Sequence, residues 1–203
     1  MRGMAWLSLQ SIGVKAISFA SQLILAWILV PDDFGLVAMA NTVVALSTVL
    51  LGGGLRSVLI HRQNRFNFWA TQAWWFGLVL GIATASLVLL ATPLLVVAYE
   101  EARLWSIMPW LAGGMVLDSL RTVPAARLQI DSRFGILGLI NSSGLVLHAF
   151  LAVVLAALGW GALSLVIPRI PASLMVVLLL WKTAFVPIRR GPRPRHWTFL
   201  YGH

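Results

Sequence analysis

The sequence predicts an all-α membrane protein whose six transmembrane helices form one bundle, and three observations carry that prediction. Hydrophobic residues make up 60% of the 203-residue chain and charged residues only 10%. Mean hydropathy is +0.90, more apolar surface than a globule of this size can hide, so the solvent is lipid. Apolar runs long enough to cross a bilayer core, about 20 residues, recur between short polar knots along the whole chain. They place spans at 5–30, 34–60, 68–98, 104–125, 134–158 and 160–185, a bundle over 1–185, followed by a basic linker at 186–203. Nothing remains for a soluble domain.

The first run is longer than a signal-peptide core and lacks a small-residue cleavage site near its end, so it is expected to stay as helix one. Pro31 cannot continue it, and Asp32 or Asp33 can cap the second helix, where the helix dipole also favours negative charge. Gly52, Gly53 and Gly54 near the end of the second span suit close packing or a kink, because no phosphate-loop lysine follows them. HRQNRFN (61–67) leads into the third span, and YEE (99–101) turns the chain into the fourth. RLQIDSR (127–133) connects the fourth to the fifth, and in the sixth Arg169 stands between Pro168 and Pro171, which free backbone carbonyls within the span. The absence of cysteine removes disulfides and thiolate chemistry.

Charge placement sets the topology. Arg2, Arg56, Arg62, Arg65, Arg121, Arg127, Arg133, Lys182, Arg189, Arg190, Arg193 and Arg195, twelve of the fifteen basic residues, fall at one set of helix ends. By the positive-inside rule that side is cytoplasmic, so both termini of the chain are expected inside. Trp6, Trp69, Trp74, Trp181 and Trp197 fall near the inner boundary and Trp27, Trp105, Trp110 and Trp160 near the outer one, as interfacial rings should. The net charge of +9 is thereby explained by topology and anionic lipid, and nucleic acid is rejected as a partner.

Several stretches resemble a known family. ILAWILVPDDFGLVAMANTVVALSTVLLGGGLRSVLIHR (24–62), VPAARLQIDSRFGILGLINSSG (123–144) and LGWGALSLV (158–166) together are similar, in order, to the start of bacterial polysaccharide and lipid-linked oligosaccharide exporters. These are the Wzx-type flippases of the multidrug/oligosaccharidyl-lipid/polysaccharide superfamily. Trp27 departs from the pattern, standing where many relatives have arginine. The resemblance implies a transporter of two six-helix lobes around a central cavity, with this chain the amino-terminal lobe and its last residues leading towards a seventh helix. It implies a polyprenyl-diphosphate-linked oligosaccharide as partner, with a carboxy-terminal lobe or second chain to close the cavity. No cofactor is implied; an ion gradient would supply the energy, its ion unidentified.

The residues themselves offer candidates for the cavity. Ser8, Ser11, Lys15, Ser18 and Gln22 are spaced 3, 4, 3 and 4 and share one stripe of helix one. Lys15 lies roughly 15 Å from the inner end of its span, and burying its ammonium costs about 2.5–3.5 kcal/mol, so it should face a cavity or a partner such as Asp118. Lys15, Ser18, Gln22, Asn41 and Arg169 are the substrate-cavity candidates, and Arg56 and Arg62 the phosphate candidates at the cytoplasmic mouth. Asp118 and Arg121, three apart, are expected to pair on one helix face. His148 reads as a packing residue, having no acidic residue in its own span. Isolated acids, four of them in outer turns, argue against the two enzyme alternatives, a polyprenyl-phosphate glycosyl or phosphoryl transferase. No catalytic or metal-ligating residue is assigned, and a multidrug exporter of the same superfamily is the remaining alternative.

Overall fold

In the computed structural model, the backbone is described for residues 2–51 and 66–184 and the side chains for 12–47 and 70–184. The described residues form eight helical segments and no strand, so the fold is all-α as expected: α1 (Arg2–Ile28), α2 (Pro31–Leu51), α3 (Phe66–Tyr99), α4 (Leu104–Leu120), α5 (Thr122–Ile130), α6 (Phe134–Ala157), α7 (Leu163–Val166) and α8 (Arg169–Ala184). Three stretches among them, Ala70–Tyr99, Phe134–Ala157 and Leu163–Ala184, are long and apolar enough to cross a membrane.

Local chemistry explains the boundaries. Pro31 opens α2, in the first turn, where a missing amide costs no helical bond, and Asp32 and Asp33 stand within that turn. The expected span 104–125 is not one helix. Pro124 has no amide to offer the carbonyl of Leu120, and the chain breaks at Arg121 between α4 and α5. Pro168 and Pro171 act likewise at the break between α7 and α8. At the end of α6, Gly159 takes a left-handed φ of +81°, while the amides of Gly159 and Trp160 return to the carbonyls of Ala156 and Leu155 and close the helix. Ser132 closes α5 through the same pair of bonds with a φ of +55°, although it carries a Cβ.

Packing follows the order of the chain only in part. The broadest contact joins α3 to α4, and α1 lies along α6 rather than against α2. Leu25 and Leu29 at the end of α1 cluster with Ala152 and Ala156 at the end of α6. The largest core gathers Leu36, Ala40 and Val44 of α2, Val88 of α3, Leu104, Ile107, Met108, Leu111 and Met115 of α4, and Ala162 and Val166 around α7. A second core, with Leu128, Leu137, Ile140, Val176 and Leu180, joins α5, α6 and α8. Small residues let backbones approach as membrane helices require. A Cβ on Gly144 of α6 would collide with Val176 Cγ2 of α8, and one on Gly81 of α3 would meet Ser119 Oγ at 2.5 Å. The outer faces are apolar and open, with Leu90 77% and Phe150 64% exposed, which is what lipid contact asks of them.

Candidate functional site

The two proline breaks bring polar groups to one place. Asp118 sits in the last turn of α4, Arg121 at the α4–α5 junction, and Arg169 and Ser173 in the first turns of α8. Asn141 and His148, two turns apart on α6, face them across a cavity of about 660 Å³ that all six residues line. Gly144 and Leu145 complete its α6 wall.

Asp118 is the hub. Arg169 Nη2 donates to its Oδ2 at 2.8 Å and Ser173 Oγ to its Oδ1 at 3.2 Å. Arg121 Nε stands 3.5 Å from Oδ1. The expected pairing of Asp118 with Arg121 therefore exists, but the shorter and better-aligned partner comes from a helix 51 residues away. A half-buried ion pair of this kind is held by its hydrogen bonds as much as by its charges. Gly114 makes room for it: a Cβ there would sit 3.0 Å from both Cδ and Nε of Arg169, so the arginine stem lies directly on the α4 backbone. His148 is half-buried, and its ring meets the backbone of Leu165 with Arg169 nearby. The histidine read as partnerless in its own span thus shares a cavity with Asp118 on another.

Of the five cavity candidates, only Arg169 lines this cavity. Lys15 and Gln22 are exposed on α1, Ser18 is half-buried there, and Asn41 is exposed on α2. Ser21 Oγ donates to the Ser18 carbonyl at 2.8 Å, a bond within α1. Arg56 and Arg62 lie outside the described residues. Asp118, Arg121, Asn141, His148 and Ser173 are additions to the candidate list. The signal that could have found Asp118 is charge balance: an arginine within an apolar span needs an acid, and Asp118 is the only one within the apolar spans of this sequence.

A second charged group lies at the other end of the bundle. Arg103 Nε donates to Glu101 Oε1 at 2.8 Å, and Arg103 Nη1 is 3.7 Å from Asp33 Oδ1. This contact joins the first turn of α2 to the turn before α4. The hydrogen bond from Arg103 holds the Glu101 carboxyl below its ordinary value, and Glu101 in return raises Arg103. Arg103 is exposed and Glu101 half-exposed, so the pair contributes little to stability.

Comparison with known proteins adds independent findings. Residues 24–196 match the family described as polysaccharide biosynthesis protein. The succinoglycan biosynthesis transport protein ExoT of Rhizobium meliloti (strain 1021) is 34% identical over 171 residues, covering 81% of this chain and 33% of that protein. The chain thus spans about a third of the length of this relative. No solved structure matches it. Every residue of the cavity falls inside the matched segment, whereas Lys15, Ser18 and Gln22 precede it.

Proposed function

The chain belongs to the polysaccharide biosynthesis protein family, and we propose that it forms the amino-terminal lobe of an exporter carrying lipid-linked oligosaccharide across the cytoplasmic membrane. The observation that carries this reading is a charged cavity, built around Arg169 and Asp118, inside a helical bundle whose outer faces are apolar. Groups of that kind are retained in lipid where a hydrated substrate must be met. The similarity to a protein named for succinoglycan biosynthesis transport supports export rather than catalysis.

In this reading the lipid tail stays in the bilayer while the sugars and diphosphate pass through a hydrated route, and two lobes rock about it. The exposed Lys15 and Gln22 on α1, with Ser18 beside them and Asn41 on α2, line the side of this lobe that faces the route. Arg169 contributes from within the lobe, and Arg56 and Arg62 collect the diphosphate at the cytoplasmic mouth. Both termini of the chain are cytoplasmic, and further chain or a second copy completes the enclosure. Inactivating the gene in the producing bacterium is expected to abolish surface polysaccharide while lipid-linked precursor accumulates with its sugars facing the cytoplasm. Undiminished surface polysaccharide would rule the reading out.

A further inference from the structure

Two guanidiniums, Arg121 and Arg169, and one carboxylate, Asp118, line the cavity between α4, α6 and α8, which leaves it one positive charge in excess. A guanidinium offers five N–H donors. Among the described residues, Arg169 gives one of them to Asp118, and Arg121 approaches the same carboxylate only at 3.5 Å. Excess positive charge and guanidinium donors turned to the cavity attract an anion that enters it. The charged groups are reachable: the side chains of Asp118, Arg169 and Arg121 are 25%, 32% and 43% exposed.

The neutral part of the wall suits hydroxyl groups. Asn141 supplies an amide and His148 an imidazole on the α6 side, while Ser173 faces them from α8. A space of about 660 Å³ falls within the range of small-ligand pockets, so it takes about one sugar unit, with the rest of a glycan left outside its open side. Gly114 fixes the geometry, because the Arg169 stem rests on the α4 backbone there and its guanidinium is held at the wall.

We propose that this cavity binds an acidic sugar, a pyranose bearing a carboxylate or phosphate, and that Asp118 is a resident counter-ion which the sugar's anionic group displaces from Arg169. The inference rests on the export reading for the sugar's origin, as a unit of the carried glycan. Asp118 then has two effects of opposite sign. It neutralises Arg169 while the cavity is empty, and it competes with the ligand, which keeps binding reversible enough for release.

The test is a calorimetric titration of the full chain, purified in detergent micelles, with glucuronate, glucose 1-phosphate, inorganic phosphate and glucose. Both acidic sugars are expected to bind and glucose is not. Asp118→Asn should tighten the acidic sugars by roughly ten- to a hundredfold, the worth of one charged hydrogen bond. Arg169→Gln should abolish binding and Arg169→Lys keep part of it. Unchanged or weaker binding by a folded Asp118→Asn protein would overturn the competition. Should that variant fail to fold, Arg121→Gln serves instead, since its side chain is the most exposed of the three; it should weaken the acidic sugars several-fold, and no change would count against the site. Inorganic phosphate binding as tightly as either sugar would overturn the sugar assignment. Because binding in micelles needs no transport, a failure here is distinguishable from a failure of the export reading, which is judged by precursor accumulation in cells.

Discussion

The polar stripe of α1 and the charged cavity between α4, α6 and α8 contain similar residues in opposite settings. On α1, Lys15 and Gln22 are exposed and the contact with α6 is made by Leu25 and Leu29. In the cavity, Arg169 is tied to Asp118 and its stem is seated on Gly114. One region presents polar groups outward from the lobe, and the other keeps them for itself. The contrast teaches that a helical period identifies a shared face, but not what that face meets. A partner is fixed only by tertiary packing.

The contrast can be sharpened first through its framework. Gly144→Ala drives a Cβ into Val176 at the contact that closes the cavity between α6 and α8. It should cost about 1–3 kcal/mol, the usual range for overpacking, read as a lowered midpoint in thermal unfolding of the solubilised chain. Next, Arg169→Leu and Lys15→Leu set the two regions against each other directly. Arg169→Leu leaves Asp118 with the Ser173 hydrogen bond and the longer Arg121 contact, and should cost about 1–2 kcal/mol after discounting for partial exposure. Lys15→Leu should stay within about 0.5 kcal/mol, as expected for an exposed side chain. Equal losses from the two substitutions would break the comparison, since Lys15 would then have a partner inside the lobe.

The smallest effect belongs to the turn that carries Glu101 and Arg103. The Glu101 carboxyl is lowered from its ordinary value of 4.5 by Arg103, so its contribution is present above that value and is lost as pH falls through the lower, folded one. The melting difference between the native chain and Glu101→Gln should therefore be small at neutral pH and vanish in strong acid. A difference that grew on acidification would contradict the assignment.

Much of the architecture was legible because its signals are local. Apolar composition gave an all-helical bundle, and Pro31 and Pro168 marked breaks that an amide-less residue imposes. Pro124 carried the same signal, yet the segment 104–125 read as unbroken because its hydropathy continues across Arg121. The site was legible only at Arg169, flagged by its prolines. Asp118 was matched to Arg121 because a three-residue helical spacing is the one pairing a sequence displays. Its bond to Arg169 spans 51 residues and has no periodic signature. His148 read as a packing residue, and the cavity that unites it and Asn141 with Asp118 exists only once α4, α6 and α8 have packed.

Pro124 and Pro168 also act as joints. A straight helix that bends must give up an amide-to-carbonyl bond, whereas at these two points proline has withheld that bond from the start. The carbonyls of Leu120 and Ser164 have no amide four residues on to lose. Both joints border the Asp118 cluster, with Arg121 at one and Arg169 at the other. The ion pair between Arg169 and Asp118 therefore bridges two points where the helical ladder is already interrupted, and fastens the lobe where its backbone does not.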